Sequence, residues 1–328
     1  MKRSRRAFLD LVTASAALLV VPCIANAQAY PTRPITIVVP FPPSAPLDTL
    51  ARIIGERMRG ALAQPVLIEN VTGAGGTLGV GRVARAASNG YTIGIGNFST
   101  HVVNGATYTL QYDLLKDFEP IGLLASNPQV IISKNAVPAK NLNELIAWLK
   151  ANPDKASQGT GGVGVSHVTG IFFQKEIGTR FQFVPYRGLP LAMQDLIAGQ
   201  IDLMFDQSSN ALPYVRAGKI RAYAVMARTR LASAPEIPTV AKAGAPGLHM
   251  SVWSGLWAPK GTPKDMIARL NAAVVDALAD PTARSQLADL GQEIFPRDQQ
   301  TPEALRDFHK AEIEKWWPII QAANIRGE

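Results

Sequence analysis

The sequence predicts an α/β protein of two domains, each built on an open sheet, and three observations carry that expectation. The 328 residues exceed what one hydrophobic core usually holds. Short β-branched runs alternate with stretches of helical periodicity from Ile35 to Met226, the pattern of helices laid over a sheet. After a last apolar run at 253–257 the chain reads as helical alone, so its end is expected to return and complete the first domain.

In chain order, 35–39 (Ile-Thr-Ile-Val-Val) reads as a buried strand, and Leu47, Leu50, Ile54 and Met58 then recur at helical spacing. A strand at 66–68, a helix at 78–87 and a strand at 92–95 follow. The second set comprises a strand at 130–133, helices at 142–149 and from Ser166, a strand at 181–184, a helix at 189–198, and strands at 203–205 and 222–226. Helices at 264–278, 282–290 and 302–323 close the chain. The expected domains are 28–127 plus 254–328, and 128–253, with no internal repeat or low-complexity segment.

Residues 1–27 have the layout of a secretory leader. Lys2, Arg3, Arg5 and Arg6 form a basic head, an apolar run spans 11–21, and Ala25-Asn26-Ala27 is an A-x-A site, with cleavage expected after Ala27. Ser4-Arg5-Arg6-Ala7-Phe8-Leu9 resembles the twin-arginine signal, and an ordinary Sec leader is the other reading. Either places the mature protein outside the cytoplasm. Cys23 is the only cysteine and leaves with the leader, which excludes disulfides, thiol nucleophiles and Cys-metal sites. Four basic and one acidic residue leave too, so 29 basic against 24 acidic residues give +5. That surplus is scattered, with no basic-aromatic interleaving of the kind that binds nucleic acid, and it suits a small anion. No other stretch reaches the ~18 apolar residues of a membrane span.

Three loops each end a strand and open a helix, where open α/β sheets bind ligands. The first is Pro40-Phe41-Pro42-Pro43-Ser44-Ala45-Pro46. Ser44, Ala45, Leu47 and Asp48 bring amides to a helix start, where unpaired N–H groups favour an anion. Asp48 itself reads first as a helix cap. The second loop, Gly159-Thr160-Gly161-Gly162-Val163-Gly164, precedes Val165-Ser166-His167 and a helix. Formally it is G-x-G-x-x-G, but Val184-Pro185-Tyr186-Arg187 stands where a dinucleotide site wants an acid ~20 positions on. No cofactor is therefore expected. What remains is backbone free to approach an oxyanion, with Thr160 and Ser166 adding hydroxyls; a plain flexible turn is the alternative. The third loop, Asn97-Phe98-Ser99-Thr100-His101, is open to either ligand contact or capping. Arg187 could pair with a second carboxylate. Asp206 could accept from a ligand donor or cap the helix after it.

Enzymatic readings fare poorly. His101, His167, His249 and His309 show no metal-ligand spacing, and no G-x-S-x-G elbow or P-loop occurs. Ser166 and His167 are neighbours on a helix and point apart, so adjacency makes no dyad. Trp316-Trp317 reads as a packed helix face.

Tyr30-Pro31-Thr32-Arg33-Pro34-Ile35 and Val38-Val39-Pro40-Phe41-Pro42-Pro43 resemble the mature N-terminus of the Bug family, extracytoplasmic solute receptors of tripartite tricarboxylate transporters. Gly73-Ala74-Gly75-Gly76, Asn89-Gly90-Tyr91-Thr92, the run 198–206, Ile237-Pro238-Thr239-Val240 and Ala258-Pro259-Lys260-Gly261-Thr262-Pro263 extend the resemblance over almost the whole mature chain. It implies a two-domain periplasmic-binding (Venus flytrap, type II) fold with a hinge and an inter-domain cleft. A ligand carboxylate would be held there by Phe41, Pro42, Ser44, Ala45 and Leu47 from the first loop and by Thr160, Gly161, Gly162, Val163, Ser166 and His167 from the second. It also implies a membrane permease as partner, no catalysis, and a periplasmic location. A sensor feeding a kinase and an exported hydrolase are the alternatives. A monomer is expected, since such a cleft needs no second copy. Where the family carries Gly-Gly in the first loop, this chain has Ser44-Ala45. With Phe41, Phe98 and Leu47 nearby, the expected ligand is an aromatic or largely apolar carboxylate, with Arg187 available to a dicarboxylate.

Overall fold

The computed structural model describes residues 30–324 and 326. The expected leader, its cleavage site and Cys23 lie outside them. β1 (Ile35–Val39), β2 (Val66–Asn70) and β3 (Thr92–Asn97) run parallel, joined by α1 (Pro46–Leu62) and α2 (Thr77–Ala84). A single turn of π-helix at Ser99–Val103 runs into the short α3 (Asn104–Thr107). Then come β4 (Phe118–Ser133), α4 (Leu142–Ala151), β5 (Ser157–Thr160), α5 (Val165–Ile177), β6 (Gln182–Pro185), α6 (Leu189–Ala198), β7 (Leu203–Gln207), α7 (Ser208–Arg216) and β8 (Arg221–Val225). β9 (Ser251–Pro259), α8 (Lys264–Ala279), α9 (Pro281–Asp289), β10 (Glu293–Ile294) and α10 (Pro302–Ala322) complete the chain.

The strands form one curled mixed sheet in the order β2-β1-β3-β9-β4-β7-β5-β6, with β8 and β10 also paired to β4. β4 joins its two halves. It lies antiparallel to β9 as far as the Pro128–Ser251 pair and takes β7 as its partner from Gln129. Sequence reading sees only the last four residues of this 16-residue strand. Pro120, Gly122 and Pro128 read as breakers, but the register shifts between Pro120 and Gly122 and between Leu123 and Ser126 absorb two of them as irregularities. α7 is likewise hidden, by Ser-Ser-Asn at its start and Pro213 inside it.

Three apolar clusters hold these layers. Ile35, Ile37 and Val39 meet Leu50, Ile54 and Met58 of α1 and Leu270 and Val274 of α8, so the alternate faces of a strand and the periodic face of a helix find each other as patterned. Val130, Ile132 and Met204 pack against Leu196 and Leu212 in the second half. The third cluster spans both halves. In it Trp316 of α10 sets its ring edge-on to Phe98, 5.4 Å between centroids, and to Phe172 of α5, 5.1 Å away. The last helix thus touches both halves. Among the described residues no helix is long and apolar enough to cross a membrane.

Candidate functional site: a cleft between the two halves of the sheet

A cavity of about 280 Å³ opens where the halves face each other. One wall is the start of α1, with Phe41, Ala45, Pro46 and Leu47; the opposite wall is the start of α5, with Gly161, Val163, Gly164, Val165 and Ser166. The first helical bonds run from Thr49 N to Ala45 O and from Val168 N to Gly164 O. The amides before them, those of Leu47, Asp48, Val165, Ser166 and His167, therefore have no intrahelical acceptor. Two helix N-termini, each a partial positive charge, converge on one space. Among the described residues no charged side chain lines it.

Each wall is braced from behind. Asp48 is 1 % exposed and does not reach the cavity. Its carboxylate accepts from Ser44 N at 2.8 Å, from Arg52 Nε at 2.9 Å and from Asn70 Nδ2 at 2.8 Å, and Asn70 Nδ2 also donates to Phe41 O at 2.9 Å. Burial pushes the Asp48 carboxyl up, but the bonds from Arg52, Asn70 and Ser44 outweigh it and hold the group below its usual range. Asp48 thus caps by reaching back to the turn, and it fixes a loop in which Ser44 holds a left-handed φ of 67°. Opposite, Ser166 Oγ accepts from Gly161 N at 3.2 Å, and Gln158 Nε2 donates to Ser166 O at 2.8 Å. The third loop folds on itself: Asn97 N donates to Thr100 Oγ1 at 3.0 Å and Thr100 N to Asn97 Oδ1 at 3.2 Å. Asn97 and Ser99 still line the cavity. The turn presses so closely that a Cβ on Gly96 would collide with the His101 ring.

Of the residues singled out in the sequence, Phe41, Ala45, Leu47, Asn97, Ser99, Gly161, Val163 and Ser166 come together here. Pro42, Ser44, Asp48, Thr160 and Gly162 belong to the same loops but lie outside the lining. Phe98 is fully buried against Trp316. His167 packs on Phe183 at 4.4 Å, where burial lowers its pKa. Arg187 is exposed and Asp206 buried, both outside the lining. Asp206 Oδ1 accepts from Gln207 N at 2.7 Å and from Asn210 Nδ2 at 3.3 Å, and it does not cap the helix that follows, whose N-cap is Gln207. The cavity also takes Gly75, Asn104, Gln129, Leu189, Gln207, Val252, Ser254 and Gln292, which sequence reading missed. Gly75 carried a signal in its glycine run. Gln129, Val252 and Ser254 carried none, because which face a strand position presents is decided by the partner it crosses.

Burial pushes the Asp206 carboxyl up to about 7, despite the bonds from Gln207 and Asn210. The folded state therefore holds a proton that the unfolded chain releases near its ordinary value, and stability is lost as pH rises toward 7. Asp206→Asn should match the wild type near pH 4 and exceed it by roughly 4 kcal/mol at pH 8, read as the difference in denaturation midpoint. A pH-independent difference would show that Asp206 is not held protonated.

The family model described as TctC, tripartite tricarboxylate transporter family receptor, matches residues 50–325. The chain belongs to this family. Across 311 residues it is 38% identical to a UPF0065 protein from the TAR-I ttuE-ttuC' intergenic region of Agrobacterium vitis, covering 93% of this chain and 88% of that one. It is 30% identical to the protein BugT of Bordetella pertussis, over 92% of each. Among solved structures, MatC from Rhodopseudomonas palustris with bound malate is 38% identical, with a TM-score of 0.77 over 89% of this chain and 100% of that one. The periplasmic binding protein BugD is 36% identical, with a TM-score of 0.78 over 91% and 100%. An R. palustris protein with adipate gives 30% and 0.80 over 90% and 99%. The fold is thus that of the two-domain, type II-like periplasmic binding proteins, and TctC receptors are solute-binding proteins and not enzymes. Among the described residues of this TctC receptor, no group of three or more His, Cys, Asp or Glu is placed to hold a metal.

Proposed function

We propose that this TctC receptor works in the periplasm, captures a small carboxylate in the cleft, and presents its closed form to a permease of the tripartite tricarboxylate type. The observation that carries this reading is the convergence of the α1 and α5 first turns, one from each half, on a cavity whose lining has no charged side chain. A buried carboxylate needs several donors. Free amides and a helix dipole supply them without a cation that would also have to be desolvated. Domains 28–127 plus 254–328 and 128–253 would move about the point where β4 exchanges β9 for β7, and a ligand bridging both walls favours the closed state by its contacts to each. Phe41, Leu47, Val163, Val165 and Leu189 form an apolar wall for the ligand's body. Malate and adipate, bound in the related structures, are themselves carboxylates. The leader 1–27 supplies export, and the mature N-terminus is then Gln28.

A melting screen of the mature protein against mono- and dicarboxylates tests the reading. A ligand at ~1,000 times its dissociation constant adds roughly 4 kcal/mol of stability, so binding acids should raise the melting temperature plainly, while matched alcohols and amines leave it unmoved. Equal response to neutral analogues would end the carboxylate reading.

A further inference from the structure

The helix starts account for one end of a ligand; the floor of the cleft points to what the other end is. Gln129 on β4, Gln292 before β10 and Ser254 on β9 all line the cavity, and none of their side chains is bonded to another group among the described residues. Gln129 is 2 % exposed, and Oε1 of each glutamine has no donor and is closed even to water, so a ligand meets it once the carboxamide turns toward the cavity. Leaving buried amides uncommitted is costly unless a partner arrives.

The backbone beside the two glutamines is tied down. Ser208 Oγ shares its one proton between Asn127 Oδ1 at 2.8 Å and Gly291 O at 3.2 Å, and Asn127 Nδ2 donates to Leu290 O at 3.3 Å. This buried knot ties β4, the start of α7 and the turn before β10 together, two residues from Gln129 and one from Gln292. Three polar side chains without internal partners, two of them on a braced backbone, are left for a ligand to engage.

Resting on the carboxylate reading above, we propose that Gln129, Gln292 and Ser254 form a second, uncharged subsite that recognises a hydroxyl, so that the solute is a hydroxylated monocarboxylate. A carboxamide and a hydroxyl both donate and accept, and so does a ligand hydroxyl. A second carboxylate at the floor would be buried among neutral groups with no cation beside it; Arg187 stands exposed outside the lining, and Arg52 is engaged by Asp48.

Calorimetry with matched acids tests this. Two sets share a skeleton: butanoate, 4-hydroxybutanoate and succinate; benzoate, 4-hydroxybenzoate and terephthalate. In at least one set the hydroxy acid should bind at least about tenfold tighter than the parent acid, because only it satisfies the floor. That advantage should vanish in Gln129→Leu and shrink in Ser254→Ala. Ser254→Ala guards against a folding defect in the first variant, and unliganded melting curves check both. A hydroxyl advantage that survives both substitutions overturns the subsite. So does a diacid that binds tightest with an affinity insensitive to Gln129→Leu. Silence from all six acids overturns the carboxylate reading itself, and the subsite with it. Binding of the parent acids without a hydroxyl advantage overturns the subsite alone.

Discussion

Trp316→Ala is expected to cost about 3–5 kcal/mol, the range for removing a large aromatic side chain from a core. The indole is 1 % exposed and packs edge-on against Phe98 of one half and Phe172 of the other. Its loss opens a cavity that neither half can collapse into, since Phe98 is held beside the Asn97–Thr100 turn and Phe172 lies on α5. Because α5 also carries one wall of the cleft, affinity for any carboxylate that the melting screen identifies should fall along with stability. Trp317→Phe is the control. It removes one hydrogen bond, from Trp317 Nε1 to Val102 O at 2.9 Å, and should cost about 1 kcal/mol. Equilibrium denaturation of both variants decides: equal costs would mean that Trp316 is no keystone between the halves.

Asp48→Ala should lower stability by about 2–4 kcal/mol and weaken carboxylate binding at least tenfold. The carboxylate never touches the cleft, so the second effect is a matter of position. Without it the Ser44 amide loses its acceptor, Asn70 loses one of its two, and the loop that presents the Ala45–Leu47 wall is free to move. A misplacement of about 1 Å is enough to spoil a site built from fixed amides. Asp48→Asn keeps the shape but loses the bidentate ion pair with Arg52, and should fall between. Because the folded carboxyl is held below its usual range, its contribution is present at neutral pH and disappears as pH falls through the folded value. Calorimetry beside denaturation separates the roles: a variant that loses stability but binds normally would make Asp48 a helix cap and nothing more.

The residues legible in the sequence were those whose chemistry is local. Phe41, Ala45, Leu47, Gly161, Val163 and Ser166 lie on contiguous loops between a strand and a helix, and such loops announce themselves by prolines, glycines and the periodicity that follows. Phe98 shows the limit. It stands in a loop that does line the cleft, yet its backbone is already helical and its ring turns inward onto Trp316, a residue more than two hundred positions away. Arg187 shows another: its place after a strand suggested a partner for anions, and its side chain ended in solvent outside the lining.

By itself the sequence determined most of the strands and helices in their order, the two strand-to-helix loops that meet at the cleft, and the membership of this family, because each of these is written in neighbouring residues. Tertiary structure alone decided that β4 would run unbroken through Pro120 and Pro128 to join both halves. It also decided that Gln129, Gln207, Ser254 and Gln292 would meet on one floor. A strand residue faces one side or the other according to register, and register is set by distant partners: Gln129 with Gln207, Ser254 with Asn97. No local pattern encodes such a meeting, since it exists only once the strands have crossed.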